Sequence, residues 1–300
     1  RLPKLPGGRD VFEDEAAGEI VRRQNRNNVI SSGANPINII CKILLLLVIS
    51  GHLAAQPVYK TDTAGDLALS GGGIALFSLG HYLEHRIAPL SKTEIDHLSP
   101  DDVNPFDRIA TGRWSPRASR LSDWLLAGSI AAPLSLYGSE SVRREAGRFN
   151  LMYLQTLVVN NGFTRIIKGL FGRPRPYVYH PGVPVEEKIT REARLSFYSG
   201  HTSSAFSMLV FGAKVYDDFH PDSDWKPYIW GGSLGVASLV GILRVAAGRH
   251  FPSDVLVGAL AGSLIGYGIP ALHKIDRPKD RGKIEDLPGI YRIGFRIRVY

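Results

Sequence analysis

The chain has a single cysteine, Cys41, among its 300 residues. No intrachain disulfide can form, and zinc or iron–sulfur centres built on thiolates are excluded; the redox compartment stays unconstrained. Methionine is nearly as scarce, with Met152 and Met208 alone, and residue 1 is arginine. The expectation is therefore that the translated start is missing from the chain or uses a non-standard codon. Zinc-finger spacing is absent, as is any run of interleaved lysines and aromatics. Nucleic acid thus ranks last as a partner for a chain of net charge +8, and an anionic membrane surface or an acidic substrate ranks ahead of it.

Uninterrupted apolar runs are also short. Residues 1–36 are polar, show no period and are expected to be disordered, with Arg22, Arg23 and Arg26 near their end. Ile37–Ser50 follows, but its unbroken core, Ile43–Ile49, is too short to span a bilayer without its flanks. A basic flank, a short apolar core and the small-residue end Gly51-His-Leu-Ala-Ala55 are features of a signal peptide, with cleavage expected after Ala55; a membrane anchor is the other reading. The expected organisation is a flank with signal peptide or anchor over 1–55, one functional domain over 56–274 and a basic tail over 275–300. In that tail apolar side chains alternate with Arg292, Arg296 and Arg298, a period of two that predicts a short strand. It would serve as a strap across the domain or as a contact with anionic headgroups.

What is there in quantity is helix. Segments 66–83, 121–137, 146–168, 202–217, 229–247 and 254–272 carry helical patterns punctuated by Gly and Pro, predicting an all-α bundle of about six core helices. Asp66 and Ser122 are expected caps, and Gly71-Gly-Gly73 argues against an unbroken first helix. Segments 229–247 and 254–272 approach the length and apolarity of membrane spans and are rich in small residues. Segment 146–168 carries Arg148, Asn150, Asn160, Asn161 and Arg165, which are costly in hydrocarbon. The balance favours a membrane-embedded or membrane-associated bundle.

Three polar clusters interrupt the apolar second half. The first is Lys168-Gly-Leu-Phe-Gly-Arg-Pro-Arg175-Pro176, a helix end broken by prolines that holds a point charge beside a planar cationic fork. The second is Ser199-Gly200-His201, a turn into a helix whose free N–H groups suit an anion. The third runs from Arg244 through His250 to Asp254, with Pro252 favouring a helix start. An Asp254 carboxylate that accepts from one ring nitrogen of His250 would leave the other as a nucleophile. Each cluster alone reads equally well as a solvated corner or a capped helix; the three in series make an inventory for holding and attacking phosphate. Arg173 and Arg249 are extra cations, expected to be solvated at helix ends.

These clusters resemble the signature of the type 2 phosphatidic acid phosphatase (PAP2) superfamily, which also includes bacterial class A acid phosphatases and vanadium-dependent haloperoxidases. Lys168 with Arg175-Pro176 matches its first motif, Ser199-Gly200-His201 its second, and Arg244, His250 and Asp254 its third. The resemblance is firm over about 120–274 and looser from 66. Tyr198 stands where the motif has proline, and Leu243 where it has serine. The resemblance implies that His250 attacks phosphorus, Asp254 orients it, and His201 protonates the leaving oxygen and then activates water. It further implies that Lys168, Arg175, Ser199, Gly200 and Arg244 bind the phosphoryl oxygens, with no metal or cofactor.

The expected function is a metal-independent phosphatase acting on a phosphomonoester or diphosphate of a lipid, such as phosphatidate, phosphatidylglycerophosphate, an isoprenyl diphosphate or lipid A. The expected place is a bacterial cell envelope, in the inner membrane with the site facing the periplasm, or the periplasm itself. The alternatives are a soluble broad-specificity periplasmic acid phosphatase, a haloperoxidase that takes vanadate as cofactor, and a non-catalytic phosphate-binding membrane protein. The sequence assigns no oligomeric state.

Overall fold

The computed structural model describes residues 57–275. The leader-like segment and nearly all of the alternating tail lie outside the described residues. Six long helices make the bundle: α1 (Thr63–Arg86), α2 (Pro116–Ala131), α3 (Ala146–Phe171), α4 (Gly200–Phe219), α5 (Lys226–Ala246) and α6 (Pro252–His273). Among the described residues the only β-pairing is an isolated bridge between Tyr59 and Lys274.

Helix starts follow the local chemistry. Asp62 caps α1 by accepting from the Gly65 N–H, four residues ahead of the expected Asp66. Ser115 caps α2 with Pro116 at the first position, so this helix starts earlier than the pattern predicts and Ser122 is internal. α1 also runs unbroken through Gly71–Gly73, against expectation. Of the three, Gly73 serves a neighbour: a Cβ there would lie 2.8 Å from the Val158 side chain of α3, whereas Gly71 and Gly72 face open space. Tertiary packing outweighs the glycine propensity penalty here.

The tightest seam joins α4 and α6, which run in the same direction. Gly258, Gly262 and Gly266, one turn apart, face the carbonyls of Ser199, Ser203 and Ser207. A Cβ at Gly262 would lie 2.2 Å from the Ser203 oxygen, so only glycine permits this approach. The polar residues of α3 point inward and find partners. Asn160 donates to Ser204 Oγ at 3.1 Å and accepts from Ser203 Oγ at 2.6 Å, Asn150 accepts from the Tyr137 hydroxyl, and Arg165 pairs with Glu84 of α1. These bonds offset part of their cost, while Asn150 Nδ2 and Arg165 Nε stay buried without a hydrogen-bond partner.

The helices alternate in direction, so the chain enters and leaves at one end of the bundle. There the Lys60 N–H donates to the His273 carbonyl at 2.7 Å, the Ile275 N–H donates to Val58, and Glu145 accepts from the N–H groups of Val58 and Tyr59. Lys168, His201, Arg244 and His250 all sit at the opposite end. α5 and α6 are long and apolar enough to cross a membrane by length and composition, with mean hydropathies of 1.6 and 1.8. Leu239, Ile242, Leu256, Leu260 and Leu264 project from them into the surroundings.

Candidate active site

The first cluster is built by stopping α3. Gly172 takes a left-handed φ of 54° as the helix cap, and the chain then runs without helix through Arg173–Arg175 to a 3-10 turn at Pro176–Tyr179. This stretch is pinned on both sides: the Arg175 N–H donates to Ala193 at 2.7 Å and the Ser196 N–H to Arg173 at 3.0 Å. Lys168, buried, donates from Nζ to the Leu195 carbonyl at 2.5 Å. Arg175, also buried, donates from Nε to the Glu192 carbonyl and pairs with the Glu192 carboxylate.

The second cluster starts α4. Ser199 is the N-cap and accepts from the Thr202 N–H at 3.3 Å. The first-turn N–H groups of Gly200 and His201 have no intrahelical carbonyl to meet, as at any helix start. A Cβ at Gly200 would lie 3.0 Å from Thr164 and 3.7 Å from Lys168 Cε, which places this helix end against the lysine. Tyr198, at the motif's proline position, is buried with its hydroxyl 3.2 Å from Thr164 Oγ1.

The third cluster is a sharp return between α5 and α6. Gly248 adopts a φ of 69°, and any Cβ there would lie 2.0 Å from the Arg113 carbonyl, so the turn depends on glycine. The turn lets the Arg249 and His250 N–H groups fold back onto the Arg244 carbonyl. Arg244 itself is buried and donates to Ser122 Oγ at 3.2 Å.

His250 is almost fully buried, and Nδ1 meets the Ser196 carbonyl at 2.8 Å. Asp254 Oδ2 is 3.6 Å from the same nitrogen, beyond hydrogen-bond reach. The expected carboxylate–imidazole bond is therefore replaced by a bond to a main-chain carbonyl. The reason is that the Asp254 carboxylate is already engaged: it accepts from Ser196 Oγ (2.6 Å), the Phe251 N–H (2.9 Å) and Arg173 Nη1 (2.7 Å). Asp254 thus holds the loop that holds His250. With Nδ1–H donating, Nε2 keeps its lone pair. Burial, then the charges of Arg175, Lys168 and Arg244, hold the His250 imidazole well below its ordinary pKa, so it is neutral.

Arg173 is not a solvated helix-end cation. It bridges Asp254 to Asp107 Oδ2 at 2.7 Å, donates to Ser253 Oγ, and lies 4.0 Å over the Phe251 ring. Asp107 belongs to a short helix, Pro105–Arg108, and also accepts from the Ser253 N–H and hydroxyl. Burial opposes its charge, but hydrogen bonds from Arg173, Ser253 and Asn104 prevail and hold the carboxyl below its ordinary pKa. Arg249 lies over the rings of Trp114 and Tyr177 at 5.5 and 5.1 Å. His201 Nε2 is 2.9 Å from Asp123 Oδ1, on α2.

All eight residues singled out from the sequence stand at one end of the bundle. Asp107, Asp123, Glu192 and Ser196 were not singled out: each is a lone polar residue in a loop or helix, without motif spacing. The assembly can place three cations and a helix N-terminus about a tetrahedral anion, with a neutral nucleophile and a second histidine beside it.

Residues 149–277 match the PAP2 superfamily. Phospholipid phosphatase 1 of Rattus norvegicus is 37% identical over 84 residues, covering 27% of this chain and 29% of that protein. Probable diacylglycerol pyrophosphate phosphatase 1 of Schizosaccharomyces pombe is 31% identical over 162 residues, 45% of this chain and 57% of that protein. Lipid A 1-phosphatase of Porphyromonas gingivalis is 23% identical over 236 residues, 75% of this chain and 48% of that protein. The matched stretch thus spans between about a quarter and just over half the length of these relatives. Among solved structures, a transmembrane PAP2-type phosphatidylglycerolphosphate phosphatase from Bacillus subtilis matches at a TM-score of 0.42 and 20% identity, over 67% of this chain and 94% of that one.

Proposed function

We propose, from the match of residues 149–277 to the PAP2 superfamily, that this chain is a metal-independent lipid phosphate phosphatase working through a phosphohistidine at His250. The observation that carries the reading is the buried His250, fixed through Nδ1 by the Ser196 carbonyl and set among the charges of Lys168, Arg175 and Arg244. His250 Nε2 attacks phosphorus as the bond to the leaving oxygen breaks, and His201 supplies the proton that oxygen needs. His201, now neutral, takes a proton from water; the resulting hydroxide cleaves the phosphorus–nitrogen bond and releases phosphate. The cations supply the charge complementarity phosphoryl transfer requires.

The outward-facing leucines of α5 and α6 favour a substrate carried in a membrane over a soluble ester. The lipid phosphatases among the relatives point the same way. With the six helices as crossings, the Tyr59–Lys274 end and the site lie on opposite faces. A leader removed after Ala55 would carry Gln56 outward and turn the site inward, so cleavage there and a periplasmic site exclude each other. We keep the outward site. The basic residues Lys274, Arg277, Lys279, Arg281 and Lys283 after α6 suit a cytoplasmic flank.

The test is phosphate release from phosphatidate, phosphatidylglycerophosphate, an isoprenyl diphosphate and a soluble aryl phosphate, with chelator present, by detergent-extracted protein. The expected result is turnover of a lipid phosphate that His250→Ala abolishes. Activity confined to the aryl phosphate, in protein released without detergent, would replace this reading with the soluble one. Halide oxidation on adding vanadate, without phosphatase activity, would replace it with the haloperoxidase.

A further inference from the structure

Asp123 is the only acid on α2, and it lies outside residues 149–277 and outside the three clusters. Its Oδ1 atom stands 2.9 Å from His201 Nε2 and 3.4 Å from Arg244 Nη1. One carboxylate oxygen therefore holds two groups that the proposed reaction uses for different purposes. The Asp123 side chain is 54% exposed, whereas that of Arg244 is 5% exposed. Of the other acids around the site, Asp107 and Asp254 are buried and anchor loops, and Glu192 is exposed but pairs with Arg175 and touches neither histidine. Asp123 anchors no loop; it is an accessible anion at the rim of a cationic pocket.

We propose that Asp123 is a positioning residue of this site, which steadies His201 for protonating the leaving oxygen and competes with the incoming phosphate for Arg244. The inference rests on the phosphatase reading. As the His250–phosphorus bond forms and the phosphorus–oxygen bond breaks, the electron pair leaves on the oxygen and His201 gives up its proton. A carboxylate at 2.9 Å fixes the ring and favours its protonated form over the neutral one. The same carboxylate occupies Arg244 and repels a phosphate dianion, which weakens ground-state binding. The two effects have opposite signs. Removing the charge while keeping the shape slows turnover and tightens anion binding, whereas loss of a merely structural residue weakens both.

The experiment compares the full chain in detergent with its Asp123→Asn, Asp123→Ala and Asp123→Glu variants. Lipid phosphate turnover and affinity for inorganic phosphate, by calorimetry, are both measured. For Asp123→Asn, kcat falls about tenfold or more, part of the contribution of a general acid. Phosphate binds about twofold to fivefold more tightly, the scale of one exposed ion pair. Asp123→Ala behaves in the same way, and Asp123→Glu recovers part of kcat. A kcat within twofold of wild type in Asp123→Asn, or phosphate binding weakened along with kcat, overturns the proposal. A wild-type chain that binds phosphate but turns over no ester overturns the phosphatase reading instead, and the change in phosphate affinity then still decides whether Asp123 competes for Arg244.

Discussion

His250 Nδ1 donates to the main-chain carbonyl of Ser196 at 2.8 Å, and the Ser196 hydroxyl in turn donates to Asp254 at 2.6 Å. The tautomer that leaves Nε2 reactive is thus set by a peptide carbonyl, which no side-chain substitution removes. Asp254 acts one step back, by holding the Ser196 loop and Phe251 against Arg173.

Asp254 and Ser196 should therefore differ sharply in kcat as variants. Asp254→Asn removes one of the two carboxylates that Arg173 bridges and weakens the hydrogen bonds from Ser196 and Phe251, a loss of about 1–3 kcal/mol because Asp107 still meets the guanidinium. Both thermal stability and kcat should fall, kcat by about a hundredfold or more. Ser196→Ala loses one hydrogen bond and keeps the carbonyl, costing about 1–3 kcal/mol for the acceptor left behind, with kcat within about tenfold of wild type. Thermal melts and steady-state kinetics on both check this. Equal losses of kcat would contradict the role of the Ser196 carbonyl.

Protonation of His250 should resist acid. An ordinary histidine titrates near pH 6.5. Burial and the neighbouring cations lower the His250 value, so the ring stays neutral as pH falls from 7 to 6 and gains a proton only at a lower pH. Nitrogen-15 NMR of histidine-labelled protein in detergent, assigned with His250→Ala, reads this directly. An imidazolium at pH 6 in the absence of phosphate would contradict it.

The seam of α4 and α6 should depend on single methyl groups. Gly262→Ala places a Cβ 2.2 Å from the Ser203 oxygen and should destabilise the bundle by about 1–3 kcal/mol. It should also lower kcat, because the same seam sets Ser199 against Asp254 through a 3.0 Å backbone bond. Gly268→Ala on the same helix meets nothing within 4 Å and should melt like wild type. Matching melting temperatures for the two variants would sink this packing account.

The parts legible in the sequence are those with local or periodic signals. The six helices show through their apolar patterns, and the start of α4 shows through Ser199-Gly200. Lys168, Arg175, Arg244 and His250 are marked by spacing within clusters that end or begin helices. The misread caps of α1 and α2 are local shifts to Asp62 and Ser115, whereas most of the other misreadings involve partners distant in sequence. Gly73 looks like a helix breaker until α3 lies against it, and Asn160 looks costly until Ser203 and Ser204 meet it. Arg173 looks like a solvated cation because Asp107, its partner, lies 66 residues away on a short helix without a motif. Asp254 lies four residues from His250, which suggests a direct bond, but the turn through Pro252 aims its carboxylate at Ser196, Phe251 and Arg173 instead.

The central claim is that phosphate passes through His250, and trapping the intermediate tests it most directly. Detergent-extracted protein is mixed with a phosphorus-32-labelled lipid phosphate that it turns over, and quenched in alkali within milliseconds. The digested chain is then mapped for label. The account predicts acid-labile, alkali-stable label on the peptide that carries His250, accumulating when His201→Ala slows release and absent in His250→Ala. Label on another residue, or turnover that survives His250→Ala, would contradict it.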